Sequence, residues 1–206
     1  MQELKWVLNQ LPKTKDENLH LMSVEEVEKA KNFHESFPQY SKTPLADLKK
    51  MAKFLGLNTV KVKDESYRFG LNAFKVLGGS YAIARYIADE MNVDVSKLPY
   101  SVLTSDELAR KFKPATFYSA TDGNHGRGVA WAANKLHQKS VIIMPKGSTE
   151  TRLNNIKAEN ADAWISDSNY DECVREAAKL AADVEHGVVI QDTAWEGYEK
   201  IPAWIM

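Results

Sequence analysis

The chain has 206 residues, 44% of them hydrophobic, with 27 lysines and arginines against 28 aspartates and glutamates, a net charge of −1. That apolar content supports the packed core of one domain or of one domain plus part of another, and the near-zero charge removes the electrostatic case for nucleic acid or an anionic membrane surface as a partner. No apolar run approaches the roughly 20 residues that cross a bilayer, the start Met1-Gln2-Glu3-Leu4-Lys5-Trp6 lacks a secretory pattern, and the single Cys173 excludes an intrachain disulfide framework, so a reducing, cytoplasmic setting is expected.

Residues 1–20 read as an arm that packs on something larger. Ser23 with Glu26 forms a capping box, and Val24, Val27, Ala30 and Phe33 fall on one face of the helix it opens; Pro38 ends that helix. Thr43-Pro44 predicts a cap and first helical position for a helix through Leu45, Leu48, Met51 and Leu55, stopped at Gly56. The β-branched run Thr59 to Val62 then enters a polar loop, Lys63 to Gly70. It ends in Asn72-Ala73-Phe74-Lys75 and the small-residue helix start Gly78-Gly79-Ser80. Lys75 therefore stands at the mouth of a strand–loop–helix unit, where open α/β sheets bind ligands. An amine partly withdrawn from water there is a candidate Schiff-base nucleophile.

A helix continues over Ala82 to Met91, and Ser105 caps a short one through Leu108 and Phe112. From Pro114 strands and helices alternate: strand Thr116 to Ala120, helix Gly126 to Leu136, strand Ser140 to Met144, a helix opened by Thr149, strand Ala163 to Ile165, amphipathic helix Tyr170 to Val184, strand Gly187 to Gln191. Such alternation predicts a parallel sheet covered by helices on both faces. Cys173 reads as a small core residue on its helix. The close at Pro202-Ala203-Trp204-Ile205-Met206, soon after a strand, reads as an interruption.

The strand-to-helix turn Ser119-Ala120-Thr121-Asp122-Gly123-Asn124-His125-Gly126-Arg127-Gly128 carries glycines that let backbone approach a ligand, and free amides at a helix start make an anion site. Asp122 could instead cap the helix, Asp192 could be a strand-end turn residue, and His125 could be structural.

Taken together, Asn72-Ala73-Phe74-Lys75 and Thr121-Asp122-Gly123-Asn124-His125 resemble the pyridoxal-phosphate enzymes related to threonine dehydratase and tryptophan synthase β. Within them, Arg68 to Gly79, Asp122 and Gln191-Asp192-Thr193-Ala194-Trp195-Glu196-Gly197-Tyr198 resemble the diaminopropionate ammonia-lyases. The resemblance covers nearly the whole chain but about the N-terminal half of a family member. It implies an α/β fold of fold-type II, three-layer parallel sheets with helices on both faces, here truncated. Residues 1–87 and 187–206 would be parts of a large cofactor-binding domain, and 88–186 a smaller inserted α/β domain.

The resemblance also implies pyridoxal 5′-phosphate as cofactor, 2,3-diaminopropionate as substrate, and a homodimer in full-length relatives; no metal is implied. By the same resemblance Lys75 would carry the cofactor and act as a base on one of its faces. Asn124 would bond the cofactor's phenolic oxygen, and Thr121, Gly123 and His125 would surround the substrate carboxylate. Asp122 would meet the substrate from the other face, and Asp192 would be the second acidic substrate-facing residue. A serine/threonine dehydratase, or a non-catalytic remnant of the family, is the alternative; two carboxylates suit a protonated amine leaving group better than a hydroxyl. The phosphate-holding glycine loop and the partner of the pyridine nitrogen are expected outside these residues.

Overall fold

The structure, a computed structural model, describes Leu8 and residues 19–206, so the N-terminal arm expected over residues 1–20 lies almost wholly outside the described residues. In chain order the elements are α1 (Val24–Glu35), β1 (Leu45–Asp47), α2 (Lys49–Leu55), β2 (Lys61–Lys63), α3 (Val76–Glu90), α4 (Tyr100–Leu103), α5 (Asp106–Lys111), β3 (Thr116–Ala120), α6 (Asn124–Lys135), β4 (Lys139–Met144), α7 (Glu150–Lys157), β5 (Asp162–Ile165), α8 (Tyr170–Ala182), β6 (Gly187–Val189) and α9 (Lys200–Ile205). Among the described residues no helix is long and apolar enough to cross a membrane.

The centre is a four-stranded parallel sheet in the order β5-β4-β3-β6. Side chains of successive strand residues point to opposite faces, and the two faces are filled differently. Tyr118, Ala120 and Ile143 pack on Cys173, Ala177 and Ala181 of α8, residues one helical turn apart on a single stripe. Phe117, Ile142 and Met144 share a core with Val129, Ala130 and Ala133 of α6 and with Ile83 and Ile87 of α3. Helix–sheet–helix layering follows, as the alternation predicts. Cys173 is fully buried, and burial pushes its thiol up, which suits a packing role. The strand at 187–189, expected on the larger domain, is the fourth strand of this sheet, laddered to β3.

The segment before Lys75 departs from the sequence reading. Leu45–Asp47 is a strand, not the first turn of a helix, and it pairs antiparallel with Lys61–Lys63 in a separate two-stranded ribbon. Thr43 caps nothing; its buried hydroxyl is drawn into an ionic knot with Lys63, Glu65 and Arg68. The strand entering the lysine loop therefore belongs to a ribbon rather than to the parallel sheet. In α1, Phe33 and His34 are buried while Val24 and Val27 are exposed, so half of the expected apolar stripe faces outward. The capping box there is half made, since Ser23 Oγ accepts the Glu26 amide while the Glu26 carboxylate serves Lys29 and Arg85.

Arg68 is only 6% exposed and donates to both oxygens of Glu65, at 2.7 and 3.0 Å, and to the Ser41 carbonyl. The Arg68 hydrogen bonds outweigh burial and hold the Glu65 carboxyl at about 2, against an ordinary 4.5. The folded state thus binds this proton less readily than the unfolded chain. Its stabilisation, of order 3–4 kcal/mol at about 1.4 kcal/mol per pKa unit, is present above pH 4.5 and is lost as pH falls toward 2. Urea midpoints measured from pH 7 down to pH 3 are expected to show this slope. Glu65→Gln should remove it and lower stability at pH 7 by roughly 3–5 kcal/mol, because a buried guanidinium loses its counter-charge.

Candidate active site

In a parallel sheet all strands end at the same edge, and β3 and β6 are neighbours there. The turn Thr121 to Gly123 leaves β3, and Ile190-Gln191-Asp192 leaves β6, so the two loops emerge side by side at the carboxyl edge where such sheets bind ligands. Thr121 builds the first loop. Its buried Oγ1 accepts the amides of Gly123, at 2.9 Å, and Gly126, at 3.1 Å, while the Arg127 amide goes to the Gly123 carbonyl. The amides of Asn124 and His125 at the start of α6 are left without a protein acceptor among the described residues.

Glycines bring the lysine to this edge. A Cβ on Gly128 of α6 would lie 2.7 Å from Val76 Cα and 2.9 Å from Val76 N, and one on Gly79 of α3 would lie 3.3 Å from Val129 Cγ2. At 128 only hydrogen lets α3 and α6 close on each other, which sets Lys75, the residue preceding α3, beside the β6 loop. Gly126 is likewise pressed against Thr121 and Ile142. At 126 and 128 the glycines expected to admit a ligand admit the protein's own chain.

Lys75 Nζ donates to Asp192 Oδ2 at 2.7 Å, with the lysine side chain 42% exposed and the aspartate 17%. His125 Nδ1 stands 3.8 Å from the same Oδ2, and its Nε2 donates to the Ile190 carbonyl at 2.9 Å. Burial works to raise the Asp192 carboxyl, but the His125 ring and the Lys75 ammonium outweigh it and leave it below its ordinary value. Burial pushes His125 below its ordinary value against the pull of Asp192. Asp192 is held by more than a turn: the strand-end reading misses its ion pair across the molecule.

Asp122 and Asn124 are exposed, and among the described residues neither side chain makes a hydrogen bond or ion pair. Asp122 does not cap α6, whose N-cap position is Gly123 without a side-chain bond. Its main chain is nevertheless fixed, because Arg152 Nη1 donates to its carbonyl at 3.0 Å. Lys75, His125 and Asp192 thus meet directly; Thr121 and Gly123 shape the loop beside them; Asp122 and Asn124 stand free on its rim.

Three residues of the Gln191–Tyr198 segment, to which the sequence reading gave no individual role, build the support of the site. Gln191 is fully buried: its Oε1 accepts Ser119 Oγ and the Ala120 amide, and its Nε2 donates to Tyr170 Oη. Its own amide donates to Tyr198 Oη, which donates in turn to the Val189 carbonyl. Trp195 stacks on Tyr198 with ring centres 4.1 Å apart. This lattice ties the β6 loop to the end of β3 and fixes Asp192. The available signal was an amide residue closing the apolar run Gly187-Val188-Val189-Ile190, a place where burial demands partners.

Residues 37–204 match the sequence profile of the pyridoxal-phosphate dependent enzymes. The chain is 51% identical over 174 residues to the diaminopropionate ammonia-lyase of Salmonella typhimurium, an alignment covering 84% of this chain and 43% of that protein. Among solved structures it is similar to the apo form of the Escherichia coli diaminopropionate ammonia-lyase, with 46% identity, a TM-score of 0.84, and coverage of 90% of this chain and 49% of that one. It is also similar to the same enzyme in complex with an aminoacrylate–PLP azomethine reaction intermediate, with 45% identity, a TM-score of 0.80, and coverage of 90% and 45%. The chain spans just under half the length of the relatives it matches. With a half-exposed lysine amine at the carboxyl edge of a parallel sheet and the profile matched across both of its loops, the chain belongs to the family of pyridoxal-phosphate dependent enzymes.

Proposed function

We propose that the protein is a pyridoxal-phosphate dependent carbon–nitrogen lyase that converts 2,3-diaminopropionate and water to pyruvate and two molecules of ammonia. The observation that carries this reading is the Lys75 amine, reachable from solvent and ion-paired at 2.7 Å to Asp192, beside the turn that presents the free amides of Asn124 and His125. The residues present fit the cofactor: an exposed primary amine for its aldehyde, and a buried ring nitrogen, His125 Nδ1, still without a partner. Lys75 would hold the cofactor and Asn124 would bond its phenolic oxygen. When bound, pyridoxal phosphate supplies an electron sink for the pair left when the substrate's α-proton is removed.

The chain's own residues do the rest. The Asn124 and His125 amides at the start of α6 receive the substrate carboxylate, an anion placed on a helix N-terminus. Lys75 and Asp122 hold or remove the α-proton, one from each face. Asp192 holds the β-nitrogen as an ammonium, so that it departs as neutral ammonia; an unprotonated amine is a poor leaving group. Two carboxylates at one small site suit a dicationic diamino acid better than a hydroxy amino acid.

The reading carries further parts with it. The protein would be cytoplasmic, in keeping with its single buried thiol, and homodimeric. The chain would divide into a larger cofactor domain and a smaller inserted one, with the second boundary after Val189 rather than at 187, because β6 pairs with β3.

The test is to add pyridoxal phosphate, reduce with borohydride, and map the modified peptide, then assay pyruvate from 2,3-diaminopropionate and from serine. Label on Lys75 and pyruvate from the diamine are expected, with Lys75→Ala removing both. Label scattered over surface lysines would overturn the cofactor assignment. Faster turnover of serine would move the protein to the dehydratases.

A further inference from the structure

His125 is 3% exposed, and the tautomer of its ring is fixed. The Ile190 carbonyl that meets Nε2 can only accept, so Nε2 carries a hydrogen, and in the neutral ring that burial favours Nδ1 presents a lone pair. Among the described residues Nδ1 has no hydrogen-bond partner. A buried acceptor left without a donor is destabilising. Asp192 Oδ2 stands 3.8 Å away, a second acceptor that cannot satisfy it. Lys75 Nζ donates to that same oxygen. A carboxylate oxygen and a ring lone pair thus converge with no proton between them.

We propose that Asp192 Oδ2 and His125 Nδ1 together form an ammonium subsite, occupied on its carboxylate side by the Lys75 side chain and taken by the β-ammonium of a diamino acid once Lys75 is committed to the cofactor. The inference rests on the reading of Lys75 as the cofactor lysine. It makes His125 a specificity-determining residue.

The geometry closes. A nitrogen placed about 2.8 Å from each acceptor, an ordinary charge-assisted hydrogen-bond length, forms a triangle on the 3.8 Å base. An ammonium has three N–H groups and satisfies both acceptors while neutralising the carboxylate. A serine hydroxyl has one hydrogen and no charge, so it leaves either the carboxylate or the ring unpaired. Discrimination of this kind, against an analogue that strands buried polar groups, is the strong kind. Lys75, tethered through its stem, reaches the oxygen alone; a free ammonium is not so constrained.

The test needs no cofactor. In Lys75→Ala protein labelled with ¹⁵N-histidine, methylammonium is expected to move the His125 Nδ1 resonance upfield, saturably, with methanol and tetramethylammonium at equal concentration leaving it unmoved. No shift with methylammonium, or an equal shift with tetramethylammonium, overturns the proposal. So does a protonated Nδ1 in the unsubstituted protein, a measurement that depends on no variant. If borohydride instead fails to label Lys75 while methylammonium binds, the cofactor reading falls and the ammonium site stands.

Discussion

Asp122→Asn is expected to abolish turnover of one enantiomer of 2,3-diaminopropionate and to leave the other within a few-fold of the unsubstituted protein. The two enantiomers, held by the same carboxylate and the same lysine, present their α-protons to opposite faces. Each face then needs its own base, and Lys75 and Asp122 stand on separate loops that flank the site. A base must be fixed by its backbone and free at its oxygen atoms. Asp122 meets both conditions: Arg152 holds its carbonyl at 3.0 Å, the next amide is bound to Thr121 Oγ1, and its exposed carboxylate has no partner among the described residues. Asparagine keeps the shape and cannot take the proton, a change worth about 10²–10⁴-fold for a general base. Since Gly123 and not Asp122 occupies the N-cap position, stability should move by no more than about 0.5 kcal/mol, the usual range for an exposed position. Initial rates of pyruvate formation from each enantiomer decide the matter. Equal loss on both would place Asp122 in a step common to the two, and equal retention would remove it from the chemistry.

The alternating pattern from Thr116 onward was legible because the central strands β3 and β4 are buried on both faces and α8 on one, so hydrophobic period and element coincide there. Thr149 and Asn169 open their helices with the hydrogen bonds their side chains predict. The lysine loop was harder. Thr43-Pro44 looks like a helix start, yet the threonine is held by a buried arginine 25 positions downstream, and no local pattern carries that information. Residue types at the site were readable, but their relations were not. Lys75 and Asp192 are 117 positions apart and touch because β6 returns to the side of β3. Gln191, read as the last residue of a strand, ties the β6 loop to the end of β3. The glycines of the Asn124 turn looked like room for a ligand, whereas at 126 and 128 the room is taken by Thr121, Ile142 and Val76.

That last point leads to the second large effect. Gly128→Ala is expected to lower stability by roughly 1–2 kcal/mol and to remove cofactor trapping at Lys75. The added methyl would sit 2.7 and 2.9 Å from backbone atoms of Val76 and 3.3 Å from the Lys75 carbonyl carbon. Backbone in the first turn of a helix cannot swing aside as a side chain can, so α6 must withdraw from α3 by on the order of 1 Å, an overpacking that costs about 1–3 kcal/mol and sometimes more. The better helix propensity of alanine returns up to about 1 kcal/mol. The withdrawal separates Lys75 from the His125–Asp192 pair, and a misplacement of about 1 Å can cost on the order of 10²-fold in rate.

Gly79→Ala supplies the comparison at the same helix contact, because the tight contact of its methyl is with the Val129 side chain, at 3.3 Å, which can turn, while Val129 N and Gly128 C lie at ordinary contact distances of 3.5 and 3.7 Å. It should stay within about 1 kcal/mol of the unsubstituted protein, the helix-propensity gain offsetting the strain, and should keep the label on Lys75. Urea midpoints and borohydride labelling of the two variants, side by side, test whether the close approach of α3 and α6 builds the site. Gly128→Ala with full labelling would show that the lysine is set in place by its own loop, and that the helix contact serves stability alone.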